Sequence, residues 1–305
     1  MKSAVHLLAI GDAGDSTPLR SQNVLSMTSY QQHLGQHLDG ILYLGDNFYN
    51  NGISSTYDPL WRSHFEDVYP SELNCPFFSI LGNHDYLGNP DAQVAYSSSK
   101  ETRWKMPYRY YSVDFDLDQD QQSSTTTLLE IFFLDTFTLS PTESRTLSLH
   151  TGMNPTKWNT IEQKILFDRH QQLQWLEQCL HNSNAVWKIV CGHYTMFSDG
   201  EHHDNFELQQ VLLPLFLKYN VSLYLCGHDH NVQHIPLHRG IHCLVAGTGS
   251  RVSPLYPNRS LVPPSLKTGI AYVDATPHSL EFGILGVRSG QKEYSYELNK
   301  KNSRL

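Results

Sequence analysis

Three observations predict an α/β fold. Short apolar runs alternate with longer amphipathic segments. The runs are rich in Val, Ile, Leu, Phe and Tyr and too short for core helices. Five of them end in a glycine followed directly by Asp, Asn or His. Strands are expected for "VHLLAI" (5–10), "ILYLG" (41–45), "FFSILG" (77–82), "YYSVDF" (110–115), "LLEIFFLD" (128–135), "VWKIVCG" (186–192), "SLYLCG" (222–227) and "HCLVAG" (242–247). "GIAYVDA" (269–275) and "LEFGIL" (280–285) complete the set. Helical periodicity falls near 20–38, 58–68, 160–181 and 205–219, giving a βαβ rhythm in the first and third quarters. The polar stretch "DLDQDQQSSTTT" (116–127) reads as a solvated hairpin or loop. Residues 140–158 read as a long loop of the kind that lies over active sites. No shift of composition marks a second domain. One domain over 1–298 is expected, with 299–305, "NKKNSRL", as a frayed tail.

The chain has 305 residues, 39% hydrophobic and 17% charged, enough to bury a sizeable core. A formal net charge of −8 argues against binding a nucleic-acid backbone, which needs clustered Lys and Arg. An anionic substrate stays compatible with that charge if a cation sits in the site. No run of 18 apolar residues occurs, so no membrane span is expected. The opening "MKSAVHLLAIGDAG" is too short for a signal peptide, because its apolar stretch runs straight into a motif. Five cysteines lack close spacing; Cys191, Cys226 and Cys243 lie in strand-like runs and read as small buried hydrophobes. The sequons at Asn220 and Asn258 carry little weight, since such triplets arise by chance.

The five strand ends form the informative pattern. "LLAIGDAGD" presents Asp12, and "LYLGDNFY" presents Asp46 and Tyr49. "FSILGNHDY" presents Asn83 and His84, "KIVCGHY" presents His193, and "LYLCGHDHN" presents His228 and His230. A glycine there allows a tight turn that a Cβ would obstruct. In a twisted α/β sheet the carboxyl ends of the strands meet at one crevice. Taken singly, a Gly-Asp is a turn, a histidine a satisfied polar group and a tyrosine a packing aromatic. One metal centre explains all five departures together.

Oxygen and imidazole donors without thiolate suit iron, manganese or zinc. Two ions about 3.5–4 Å apart need a shared carboxylate, a role for which Asp46 is suited. One set is then anionic (Asp12, Tyr49 and the shared Asp46, with one histidine), and the other neutral (Asn83 and two histidines). Anionic oxygens favour a trivalent ion and neutral donors a divalent one, so an Fe(III)–M(II) pair is expected.

"GDAG", "GDNFY", "GNHD", "GHY" and "GHDHN", in this order, resemble the calcineurin-like metallophosphoesterase superfamily. "GDNFY" with its tyrosine is similar to the purple acid phosphatases, above all the small tartrate-resistant forms of animals. The resemblance covers roughly residues 4 to 285, including "AQVAYS" (92–97) and the "EHH" after "GHY". It implies a four-layer αββα sandwich, two mixed sheets flanked by helices. It implies Fe(III) on Asp12, Asp46, Tyr49 and His230, and a second ion (Fe, Zn or Mn) on Asp46, Asn83, His193 and His228. His84 and His202 match histidines that contact the phosphate or the leaving group. Ala13 stands where the family usually has an aromatic residue, and the 140–158 loop lacks the cysteine that pins a regulatory loop in the mammalian enzymes.

The expected function is acid phosphatase, a metal-activated hydroxide attacking a phosphate monoester while both ions neutralise charge. The expected partners are phosphate monoesters and inorganic phosphate, with no nucleic acid and no membrane, for a monomer. A secreted or lysosomal location is implied by the family. One rival is a phosphodiesterase or nucleotide pyrophosphatase of the same superfamily, against which Tyr49 argues. Another is a non-catalytic scaffold, against which the full ligand set argues.

Overall fold

A computed structural model describes residues 3–99, 102–117, 127–150, 155–237, 240–256 and 259–300. Its strands are β1 (Val5–Ile10), β2 (Gly40–Tyr43), β3 (Phe77–Ser79), β4 (Trp104–Lys105), β5 (Tyr111–Phe115), β6 (Leu129–Phe133), β7 (Trp187–Cys191), β8 (Leu223–Cys226), β9 (Val232–Pro236), β10 (His242–Ala246), β11 (Ile270–Ala275), β12 (Ser279–Leu285) and β13 (Lys292–Asn299). The α-helices are α1 (Pro18–Leu34), α2 (Pro90–Ser99), α3 (Thr136–Leu139), α4 (Pro141–His150), α5 (Pro155–Asn182) and α6 (Phe206–Tyr219).

The strands form two mixed sheets. One runs β13-β12-β11-β1-β2-β3-β4 and the other β5-β6-β7-β8-β10-β9. β1, β2 and β3 are mutually parallel in the first, and β6, β7 and β8 in the second. These strands lack polar alternation because both of their faces are covered. Ile189, Cys191, Leu223 and Leu225 join the core shared with the first sheet. Their neighbours Val190, Tyr224 and Cys226 join a second core with Leu176 and Leu180 of α5 and Leu208, Leu212 and Phe216 of α6. The period-two alternation therefore serves two apolar layers. On the outer side of the first sheet, α1 contributes Val24, Met27 and Tyr30. The result is the αββα sandwich.

Local chemistry sets the helix ends. Thr17 caps α1 by accepting from the Arg20 N–H at 3.3 Å, Pro18 opens the helix, and Gly35 closes it with φ 66°. Asn205 caps α6 through the Leu208 N–H at 3.0 Å. All five cysteines are free, and Cys191, Cys226 and Cys243 are buried in strands.

The structure corrects several expectations. Much of the expected 140–158 loop is helix: α4 fills Pro141–His150 and α5 begins at Pro155. The helix expected over 58–68 is a π-helical turn, Arg62–Glu66. β13 was not foreseen because its pattern is that of an exposed edge, alternating partly buried tyrosines with charged residues. Its last residue, Asn299, falls in the expected tail, and Lys300 N–H bonds to the His278 carbonyl at 2.9 Å. Residues 301–305, most of the polar stretch 116–127 and the sequon Asn258 lie outside the described residues.

Candidate metal centre

The predicted donors all leave the carboxyl ends of parallel strands. Asp12 follows β1, Asp46 and Tyr49 follow β2, and Asn83 and His84 follow β3. Across the sandwich, His193 follows β7, while His228 and His230 follow β8. The left-handed turn is taken by the donors themselves: φ is 61° at Asp12, 53° at Asp46 and 69° at His228. The glycines before them mostly serve another purpose. A Cβ on Gly82 would lie 2.2 Å from both the backbone N and Oδ1 of Asp46, and one on Gly227 would lie 2.5 Å from Asp12 Oδ2. Each glycine clears room for a donor arriving from another strand.

Six of the seven predicted ligands fall into two touching groups. In one, the Tyr49 hydroxyl donates to Asp12 Oδ1 at 3.0 Å and lies 3.1 Å from His230 Nε2, itself 3.5 Å from Asp12 Oδ1. In the other, His193 Nε2 lies 3.0 Å from Asn83 Oδ1 and 3.5 Å from Asp46 Oδ1. Asp12, Asp46 and His193 join the groups, with ligand atoms all within 4.8 Å of one another. His193 Nδ1 sits 2.8 Å from the Leu44 carbonyl, which accepts only if that nitrogen carries the proton. The Nε2 lone pair then faces two oxygen acceptors, an arrangement that a cation relieves. This donor set fits a metal ion.

The seventh, His228, faces Glu143, which the sequence reading missed. Glu143 Oε1 is 3.4 Å from His228 Nε2 and 3.7 Å from His202 Nδ1, and the two imidazoles stack at 3.7 Å. These three residues are a second group able to hold an ion. Glu143 is free to reach inward because Glu207 binds the start of α4, accepting from the Thr142 N–H at 3.0 Å and the Ser140 hydroxyl at 3.0 Å. Ser140-Pro141-Thr142-Glu143 has the spacing of a capping box with proline at the first helical position, the signal that could have revealed this helix.

Burial and local charge set the protonation pattern. Burial, then the Asp12 and Asp46 carboxylates, push the Tyr49 phenol well above its ordinary value, so ionising it calls for a cation. Burial and the neighbouring His202 push His228 down to about 3, leaving it a neutral ligand. Burial opposes protonation of His202, but the Glu143 carboxylate outweighs it and raises that histidine. The two histidines hold Glu143 far below the usual carboxylate range. His84 and His202 stand at the rim. His84 Nδ1 lies 2.6 Å from the Asn50 carbonyl and Nε2 4.0 Å from Asp46 Oδ2, while the His202 side chain is 40% exposed.

Three further residues brace the centre. Asp85 is buried and accepts from the Gly82 N–H at 2.8 Å and the Asn47 N–H at 3.2 Å, fixing two of the turns. Asp229 is buried and accepts from the His202 N–H at 3.1 Å. Arg251 lies 4.1 Å over the Tyr49 ring, held by Asp15 at 3.0 Å. Nothing in the local sequence marks Arg251 for this position.

Two sheets whose parallel-strand ends pool carboxylate, phenol, amide and imidazole donors define a metallophosphoesterase. The calcineurin-like phosphoesterase family model matches residues 6–232. Tartrate-resistant acid phosphatase type 5 of Oryctolagus cuniculus is 31% identical over 97% of this chain and 91% of its own length. Purple acid phosphatase 17 of Arabidopsis thaliana is 34% identical over 81% of this chain and 69% of its own. Among solved structures, GAP50, described as the anchor in the inner membrane complex of Plasmodium, superposes with a TM-score of 0.77 at 23% identity, covering 99% of this chain and 91% of that one. The chain belongs to the calcineurin-like phosphoesterases and, within them, to the purple acid phosphatases. It is a metal-dependent phosphatase.

Proposed function

We propose that this chain hydrolyses phosphate monoesters as an acid phosphatase with an Fe(III)–M(II) pair. Asp12, Asp46, Tyr49 and His230 hold the iron; Asp46, Asn83, His193 and His228 hold a second Fe, Zn or Mn ion. The observation that carries this reading is the pairing of an anionic donor group around Asp12 and Tyr49 with a neutral one around Asn83 and His193, Asp46 lying at their junction. When bound, the ions supply charge neutralisation for the phosphoryl group and acidify water, Fe(III) more strongly than Zn²⁺. The remaining work falls to the chain. Asp46, pinned through Oδ1 by the His84 N–H at 2.9 Å, keeps the two ligand groups in register. His84, with Nδ1 committed to Asn50, turns Nε2 inward to face a phosphate oxygen. His202, raised by Glu143, holds the proton that a leaving alkoxide needs. Substrates are phosphate monoesters and the product is inorganic phosphate. On this proposal the chain is a monomer that uses neither nucleic acid nor membrane; no helix among the described residues is long and apolar enough to cross a membrane. The family resemblance is what supports a secreted or lysosomal location as part of this proposal.

Elemental analysis, a visible spectrum and a p-nitrophenyl phosphate assay at acid pH test the proposal together. The expected result is two ions per chain including iron, a charge-transfer band abolished by Tyr49→Phe, and turnover. Protein without iron, or a band that survives Tyr49→Phe, contradicts it.

A further inference from the structure

A second cavity, about 460 Å³ and outside the donor cluster, lies between the start of α2, the segment before β5, the end of β6 and α5. Its volume is that of a small-molecule site. Tyr108, Tyr110 and Trp175 supply its aromatic wall, with the Tyr110 and Trp175 rings 5.0 Å apart. Tyr108 is 72% exposed, so its ring is accessible from solvent. Three carboxylates (Asp91, Asp135 and Asp168) and one cation (Arg109) also line it.

Arg109 is already committed. It forms a fork on Asp91 at 2.6 and 3.1 Å and donates to the Tyr86 hydroxyl at 3.1 Å. Asp91 and Arg109 cancel, so Asp135 and Asp168 leave the cavity negative. Asp135 is only 1% exposed; one of its oxygens accepts from the Tyr86 hydroxyl, while Oδ1, at the head of α3 near the Phe137 N–H, makes no hydrogen bond of good geometry among the described residues. Burial pushes its carboxyl up to about 6 in spite of the nearby Arg109, so it is ionised at neutral pH. Asp168 has no ion-pair partner among the described residues. A buried carboxylate oxygen left without a well-aligned donor at a cavity wall calls for positive charge from the ligand. That charge is not a bare metal ion, because the carboxylates here do not form a group of three with converging ligand atoms. Aromatic faces backed by carboxylates are instead the chemistry that recognises an organic ammonium.

We propose that this cavity binds a small organic ammonium ion, its head group against Tyr108, Tyr110 and Trp175 and its charge answered by Asp135 and Asp168. The site is separate from the phosphatase centre, and the proposal does not depend on which metals that centre holds. Titration calorimetry of the metal-loaded full chain at low ionic strength tests it. Choline chloride is the probe and 3,3-dimethyl-1-butanol its uncharged isostere. Choline is expected to bind saturably and the isostere at least about tenfold more weakly. Asp168→Asn, on the accessible face of α5, is expected to weaken choline about fivefold while p-nitrophenyl phosphate turnover stays within about twofold. Trp175→Leu is expected to weaken choline similarly. Equal binding of the two probes, no saturable choline heat, or unchanged affinity in folded Asp168→Asn overturns the proposal.

Discussion

Replacing Gly82 by alanine tests the claim that strand-end glycines exist to admit a neighbour's ligand. The new Cβ would stand 2.2 Å from the Asp46 nitrogen and from Asp46 Oδ1, where ordinary contact begins at 3.4 Å. The intrusion is therefore 3.4 − 2.2 = 1.2 Å, and the nearest atoms belong to a backbone and to a carboxylate that is itself buried. No flexible side chain can yield. Overpacking of this kind costs about 1–3 kcal/mol, and the rigid surroundings place Gly82→Ala near the upper end. For a domain of this size that corresponds to a melting temperature lowered by roughly 6 °C. Relief by moving Asp46 about 1 Å should cost about a hundredfold in kcat/KM. Gly35→Ala is the control: Gly35 has φ 66° with nothing within 4 Å of a built Cβ. It should lose only about 1 kcal/mol of stability from left-handed strain and keep full activity. Calorimetry, metal content and steady-state kinetics of both variants give the answer. Gly82→Ala with wild-type metal content and kcat/KM would refute the reasoning.

Three further outcomes are expected. His202→Ala should slow alkyl phosphates far more than p-nitrophenyl phosphate, whose leaving group needs no proton; equal losses on both substrates remove His202 from that role. His234 and His242, 2.9 Å apart and buried, are pushed down by burial to about 3 and about 4. The unfolded chain therefore binds more protons below its histidine value of about 6.5, and stability falls as pH drops from there towards 4, by up to about 1.4 kcal/mol per pH unit and histidine. A melting temperature flat between pH 7 and pH 5, or a slope unchanged in His242→Gln, would count against this. Chelation of the metals should lower the melting temperature by several degrees, since Asp12 and Asp46 would stay buried without a counter-ion; an unshifted transition with metal removed would contradict it.

How much of the site could be read from sequence depended on distance along the chain. Asp12, Asp46, Asn83, His193 and His228 each follow a glycine at the end of an apolar run, so a local pattern carries the signal. Glu143 and Arg251 have no such mark. Glu143 reaches His228, 85 residues away, only because Glu207 occupies the start of α4, and Arg251 reaches Tyr49 from the far side of eight intervening strands, β3 to β10. The two sheets were legible as apolar runs, but the edge strands β4, β9 and β13 were not. β4 has two residues, and β13 alternates charges with half-buried tyrosines, so neither offers a continuous apolar stretch. The second core under α5 and α6 was likewise hidden. It depends on which face of each strand points outward, and the runs themselves are apolar on both faces.

The left-handed backbone at Asp12, Asp46 and His228 bears on how any mutational scan of this protein should be read. Asp, Asn and His are the side chains that best tolerate that conformation. An alanine scan therefore perturbs coordination and main-chain geometry in one stroke at these three places, and an inactive variant says little about which was lost. Asparagine at 12 or 46 discharges the carboxylate while leaving the bend nearly as easy to form, so it isolates the electrostatic contribution that alanine confounds.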